Sequence, residues 1–146
     1  MTNTLLILIL FVGMIFFFSS CKTYYIPVDS FKQQLTSIDT SNMREVTTQG
    51  PAGDRVKYKI YPIDYIHAVD KTGNPITIQN SPSIEIRFTD TSNKKTIFYF
   101  DLIRFDGVNI TGRQSRFMSA FKKTIPINSV KKIEVQDGKK NFRYVK

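Results

Sequence analysis

Short segments in which apolar and polar residues alternate make up most of the chain after residue 55. The segments 56–60, 83–89 and 132–135 each place an apolar side chain at every second position. Because successive side chains of a strand point to opposite faces of a sheet, each segment predicts a strand with one buried face. Turn pairs such as Asp137-Gly138 separate these segments. The pattern is typical of a mainly β fold, a small antiparallel sandwich or barrel.

Three further segments do not show this alternation. The segment 96–105 is apolar on both faces over residues 97–100, which predicts the central strand of the sheet. The segment 116–122 fits the helical and the strand period equally poorly, so either one helical turn or a continued strand is expected there. The segment 40–53 is polar, and its last four residues, 50–53, are Gly-Pro-Ala-Gly, which predicts a loop there.

One segment has helical spacing. In 28–39, Phe31, Leu35 and Ile38 follow one another at intervals of four and three residues, so they share a helix face. Residues 29–30 are Asp and Ser, either of which can cap the first turn. The sequence therefore predicts one short helix that lies with this face against the sheet.

The N-terminal residues have a different composition from the rest of the chain. Residues 5–18 are a nearly continuous apolar run, followed by two serines and then Cys21, the only cysteine. This order predicts a lipoprotein signal peptide over residues 1–20 with lipid attachment at Cys21. The run is shorter than the roughly 20 apolar residues that a membrane-spanning helix needs. An uncleaved anchor and an ordinary secretion signal are the alternatives.

These features divide the chain into a signal peptide at 1–20, a lipidated tether at 21–28 and a single β-rich domain at 29–146. The expected location is the cell envelope, where palmitate and other acyl chains on Cys21 would hold the protein to a membrane.

Residues 18–21, Phe-Ser-Ser-Cys, resemble the bacterial lipobox, with Phe18 where leucine is usual. Residues 19–31 and 125–145 are also similar to small lipoproteins of Bacteroidota-type Gram-negative bacteria. That resemblance implies a lipid-anchored envelope protein and does not imply an activity. Lys22 stands where retention in the inner membrane favours aspartate, and no acidic run follows Cys21. The resemblance therefore favours the outer membrane, with the protein facing the periplasm.

The composition leaves few residues for catalysis. With Cys21 acylated, no thiol remains for catalysis, for a disulfide or for a metal. His67 is the single histidine, which removes most histidine-based metal and triad chemistry. The aspartates at positions 64, 70, 101 and 106 match no calcium-binding loop and are expected in turns. We expect no cofactor, no metal and a non-enzymatic binding or structural module. A small envelope-associated hydrolase is the alternative.

The net charge of +9 lies almost entirely in the C-terminal part, where residues 104–146 contain eleven Lys or Arg and three acids. Six cations in this part are interleaved with Phe117 and Phe121, and they are the candidates for contact with an anionic surface such as anionic lipid or lipopolysaccharide. These residues are Arg113, Arg116, Lys122, Lys123, Lys131 and Lys132. The alternative is a solvated basic surface that only maintains solubility.

Residues 105–115 and 123–135 resemble the strand pattern of small SH3-like and Sm-like barrels. In that pattern Gly112 bends a strand, and residues 126–129 form one turn before the last strand. The resemblance implies a nucleic-acid-binding barrel as a further alternative. Export to the envelope argues against a nucleic-acid partner, and an envelope protein is the other partner that we consider.

Overall fold

The computed structural model describes residues 22–146. The predicted signal peptide and Cys21 lie outside the described residues. The helix α1 spans Val28–Thr36, and two 3₁₀ turns span Phe100–Leu102 and Ile127–Ser129. The strands are β1 Thr23–Tyr25, β2 Arg44–Gln49, β3 Arg55–Ile60, β4 Tyr65–Val69, β5 Pro75–Gln79, β6 Ile84–Asp90, β7 Lys95–Tyr99, β8 Arg104–Phe105, β9 Asn109–Arg113, β10 Lys122–Pro126, β11 Val130–Asp137 and β12 Arg143–Val145.

The strands form three antiparallel sheets. The largest has six strands in the order β5-β4-β1-β11-β6-β7, and the two smaller sheets have the orders β10-β9-β8 and β12-β2-β3. The protein is therefore mainly β, with antiparallel sheets and one α-helix, as the alternation of apolar and polar residues predicts. In the described part of the chain, no helix is long and apolar enough to cross a membrane.

The main core lies on one face of the six-stranded sheet. Ile86 and Phe88 of β6, together with Val135 of β11, are almost completely buried, and they occupy the inward positions that the alternating pattern predicts. The helix covers part of this face through Phe31, whose ring meets that of Phe88 edge to face with 5.4 Å between the ring centroids. Leu35 belongs to the same cluster. Burial of this apolar surface is the main stabilising contribution.

The β10-β9-β8 sheet covers another part of the same core. Gly112 of β9 lies so close to β7 that a Cβ atom there would be only 2.4 Å from Cγ of Phe98. A glycine is required at this contact because any side chain would overlap the aromatic ring. Gly112 thus allows the small sheet to approach the large one, and the predicted turn after residue 126 is the second 3₁₀ turn.

The β12-β2-β3 sheet packs on a second, smaller apolar cluster. Ile60, Tyr99 and Leu102 are its buried members, and Tyr58 and Phe142 pack against them. The rings of Tyr99 and Phe142 meet at nearly a right angle with 6.2 Å between their centroids. This cluster connects the end of β7 to the third sheet.

Two N-terminal predictions differ from the structure. The helix ends at Thr36, and its N-cap is Pro27 without a side-chain capping hydrogen bond, so residues 29–30 do not cap it. Within the predicted tether 21–28, residues 23–25 form β1, which pairs with β11 on one side and with β4 on the other. The sequence does not predict β1 because this strand has only three residues, too few to show an alternation. Its pairing partners are more than forty positions away in the sequence.

Three other segments differ from what the sequence predicts. The predicted loop at 50–53 connects β2 to β3, but the polar residues before it, for which no strand was predicted, contain β2, which pairs with β3 along its length and with β12 over residues 47–49. Strand β7 is at the edge of the large sheet rather than at its centre, and its apolar run continues into a 3₁₀ turn. Residues 114–121 form neither a helix nor a strand and connect β9 to β10 as a series of turns and bends.

Candidate functional site

The outer face of the β10-β9-β8 sheet carries a row of polar and cationic side chains. Arg113 of β9 is directly opposite Lys122 of β10, and Thr111 is opposite Arg104 on β8 and Thr124 on β10. Side chains at directly opposed positions of an antiparallel pair lie on the same face with Cβ atoms about 5 Å apart. The pairing therefore brings three cations to one face of this sheet.

A cleft with a volume of about 190 Å³ opens on this face. Lys59 and Tyr61 approach it from the end of β3, and Ser119 comes from the segment between β9 and β10. The remaining lining residues are Met43, Leu102, Arg104, Asp106, Asn109, Thr111, Gly112, Arg113 and Lys122.

The four cations in the cleft are Lys59, Arg104, Arg113 and Lys122, and Asp106 is the carboxylate that lines it with them. Within residues 22–146, none of these four cationic side chains makes an ion pair within 4 Å or a side-chain hydrogen bond. Asp106 and Glu45 interact electrostatically with Arg104 and Lys59 without forming an ion pair within 4 Å. Four like charges with so little neutralisation raise the electrostatic energy of the site. A bound anion would lower that energy.

Asp106 has a local structural role. Its Oδ1 accepts hydrogen bonds from the backbone N–H groups of Asn109 and Val108 at 2.6 and 3.0 Å. These bonds hold the pKa of Asp106 below its ordinary value, and the charge of Arg104 acts in the same direction. The carboxylate thus stabilises the turn before β9 and remains ionised.

The six cations that were predicted to contact an anionic surface do not all lie together in the structure. Only Arg113 and Lys122 line the cleft. The others have separate partners: Lys123 donates to the Thr96 hydroxyl at 2.9 Å, Lys131 donates to Asn93, and Lys132 pairs with Glu134 at 2.9 Å.

Sequence reasoning did not identify Arg104 and Lys59 as members of the cleft. Arg104 is the first residue of the cationic part of the chain. Only its pairing with Thr111 of β9, which the sequence does not show, places it beside Arg113 and Lys122. Lys59 belongs to a strand with alternating lysines, so its sequence context indicates only an exposed position.

Arg116 is not on the surface, in contrast to its predicted role. Its side chain is completely buried and donates from Nη1 and Nη2 to the two carboxylate oxygens of Asp101, each at 2.9 Å. Tyr144 donates its hydroxyl to Asp101 at 2.5 Å, and the hydroxyl of Tyr58 accepts from Arg116. The guanidinium also lies over the Tyr99 ring, 4.1 Å from its centroid.

The network around the buried Arg116–Asp101 pair connects distant parts of the chain. Tyr58 and Tyr144 belong to the β12-β2-β3 sheet, Asp101 to the 3₁₀ turn after β7, and Arg116 to the segment between β9 and β10. Burial disfavours the charged guanidinium, but the charge and the hydrogen bonds of Asp101 outweigh this and raise the pKa of Arg116. A bidentate pair of this kind fixes orientation as well as distance.

The raised pKa values of Tyr58 and Tyr144 should make the protein less stable in alkali. Burial and the Asp101 charge raise the pKa values of Tyr58 and Tyr144 above 10, the ordinary value. Unfolded tyrosines lose their protons above about pH 10, whereas these folded ones keep theirs, so unfolding becomes more favourable as the pH rises further. We expect Tyr144→Phe to make the decline of the unfolding midpoint between pH 9 and 11 shallower than in the unmodified protein. An unchanged slope would contradict this role for Tyr144.

The remaining candidate residues have local partners. Asp64 forms an ion pair with Arg44 at 2.7 Å, and Asp70 accepts several hydrogen bonds within its own turn. His67 is an exposed residue of β4 whose Nδ1 is 3.3 Å from the Thr77 hydroxyl. Across residues 22–146, no group of three His, Cys, Asp or Glu side chains could hold a metal ion.

No protein-family model, curated protein or solved structure matches the chain.

Proposed function

We propose that this protein is a lipid-anchored lipoprotein of the cell envelope, in the outer membrane and facing the periplasm, whose domain binds an anionic group without catalysing a reaction. The observation that carries the proposal is the cleft in which Lys59, Arg104, Arg113 and Lys122 converge, none of them in an ion pair within 4 Å in the described part of the chain. Charge-assisted hydrogen bonds from such groups to phosphate or carboxylate are among the strongest that proteins form.

The dimensions of the cleft favour a small anionic group. Its volume of about 190 Å³ is below the roughly 300–1,000 Å³ of pockets that enclose drug-sized ligands. Two of the four cations are arginines, whose planar guanidinium can bind two oxygens of a phosphate at once. A phosphate group, free or attached to a larger molecule outside the cleft, fits both features.

The lining residues favour binding over hydrolysis. Ser119 and Thr111 carry the hydroxyls that could serve as a nucleophile near the cations, and such a hydroxyl needs an adjacent base to be activated. Asp106, the carboxylate among the lining residues, already accepts two backbone hydrogen bonds through one oxygen. The envelope location rests on the sequence of residues 1–22, which resembles a lipoprotein signal.

The cleft can be tested by titrating the full chain in detergent with inorganic phosphate and pyrophosphate by calorimetry. We expect pyrophosphate to bind, and the double variant Arg113→Gln, Lys122→Gln to bind at least about a hundredfold more weakly, because each of the two lost charged contacts contributes roughly 1.5–3 kcal/mol.

The matched control is Lys71→Gln, Lys131→Gln, which removes the same net charge from positions that do not line the cleft. This variant should retain the affinity of the unmodified protein. Equal weakening in both double variants would show that net charge alone is responsible, and no pyrophosphate binding would refute the proposed site.

A further inference from the structure

The segment 114–121, called here the β9–β10 loop, exposes an apolar tip. Phe117, Met118 and Phe121 are 48%, 54% and 51% exposed, although each is large and apolar. Scattered apolar residues are ordinary on a protein surface, but three within five positions of one loop form a patch. Such a patch on an otherwise basic surface indicates contact with an apolar partner.

The base of the loop is fixed to the rest of the domain by hydrogen bonds. Arg116, immediately before Phe117, is anchored in the core by its two hydrogen bonds to Asp101. The backbone N–H of Gln114 donates to the carbonyl of Phe121 at 2.8 Å, which closes the loop at its base. Because the buried arginine and this hydrogen bond order the loop before binding, little conformational entropy remains to be lost when the tip enters an apolar phase.

The apolar tip adjoins the cationic cleft. Arg113 and Lys122 flank the loop in sequence and are opposite each other across β9 and β10, and Ser119 of the loop itself lines the cleft. The loop therefore presents apolar side chains beside two cations that form no ion pair within 4 Å among residues 22–146. Apolar side chains next to lysine and arginine are the combination that holds proteins in the interface of an anionic bilayer.

We propose that the β9–β10 loop inserts Phe117, Met118 and Phe121 into the interfacial layer of an anionic lipid bilayer while Arg113 and Lys122 contact the lipid phosphates. This inference rests on the proposed anion-binding function and specifies the ligand as a lipid headgroup. A soluble anion would engage the cations but would leave the apolar tip in water. A bilayer satisfies both features at once, and the charge complementarity favours anionic lipid over neutral lipid.

The absence of tryptophan from the sequence provides a direct test. The full chain carrying Met118→Trp, incorporated from detergent into vesicles, has one tryptophan at the loop tip. With phosphatidylglycerol in the vesicles, we expect its emission to shift to shorter wavelength and to be quenched at least twofold by lipids brominated on the acyl chain. In purely phosphatidylcholine vesicles, the shift and the quenching should be much smaller.

The matched control is Val108→Trp, an equally exposed apolar position at the other end of β9. We expect no quenching there, and we expect Arg113→Gln with Lys122→Gln to remove most of the quenching at position 118. Equal quenching at both positions, or no dependence on anionic lipid, would overturn the inference. If pyrophosphate binds the cleft while position 118 stays unquenched, the inference fails and the proposed function stands. If pyrophosphate does not bind, the proposed function fails.

Discussion

Replacing Arg116 by methionine should lower the free energy of unfolding by about 3–5 kcal/mol, because removing one partner of a buried ion pair leaves the other charge uncompensated. Asp101 would remain completely buried with the hydroxyl of Tyr144 as its main donor. For a domain of this size, a loss of that magnitude lowers the melting temperature by on the order of 10–20 °C. Chemical denaturation of the full chain in detergent, followed by circular dichroism, measures the change.

Two variants make this measurement specific. Arg113→Met removes a cation at the surface of the cleft and should change the free energy of unfolding by less than about 0.5 kcal/mol. Adding Asp101→Asn to Arg116→Met should restore part of the stability, because no unpaired charge then remains buried. If Arg116→Met is as stable as the unmodified protein, the guanidinium does not stabilise the connection between the β12-β2-β3 sheet and the rest of the domain.

If the proposed lipid anchor is correct, replacing Cys21 by serine should abolish lipid attachment, because a lipoprotein accepts its diacylglycerol on the thiol of this cysteine. In bacterial cells supplied with labelled palmitate, we expect the unmodified protein to incorporate label and Cys21→Ser to incorporate none. The processed form should also disappear from the membrane fraction. Mass spectrometry of the purified protein, which reports both the first residue and any added acyl mass, measures the same change independently.

Lys22→Gln is the matched control for this experiment, since it changes the residue next to Cys21 and leaves the thiol in place. It should incorporate label as the unmodified protein does. An unmodified chain that begins at Met1 and carries no added lipid mass would contradict the proposed anchor.

The strands with strict alternation could be predicted from the sequence. Segments such as 56–60 and 83–89 form β3 and β6 with their apolar side chains inward, and the helix begins at Val28 as expected. Their periodicity is local, and burial of one face is the physical reason for it. Strand β1 and strand β2 could not be predicted in this way, because β1 has three residues and β2 is largely polar. Pairing with distant strands stabilises both.

The cleft could be predicted only in part. The excess of cations from residue 104 onward indicates an anionic partner, and Arg113 and Lys122 are two of the six cations that the sequence predicts to contact it. Nothing in the sequence distinguished these two from Arg116, which follows Arg113 by three positions and is buried in the core. The burial of Arg116 depends on Asp101, Tyr58 and Tyr144, which are 15, 58 and 28 positions away in the sequence.

By itself, the sequence determined the β class, the position of the helix and the location of the positive charge, because each of these follows from the kind and order of neighbouring residues. Only the tertiary structure decided the strand order, the convergence of Lys59 with Arg104, Arg113 and Lys122, and the separation of Arg116 from them. These features depend on which strands pair and on which side chains lose contact with water. Such contacts join residues far apart in the chain, so no local pattern encodes them.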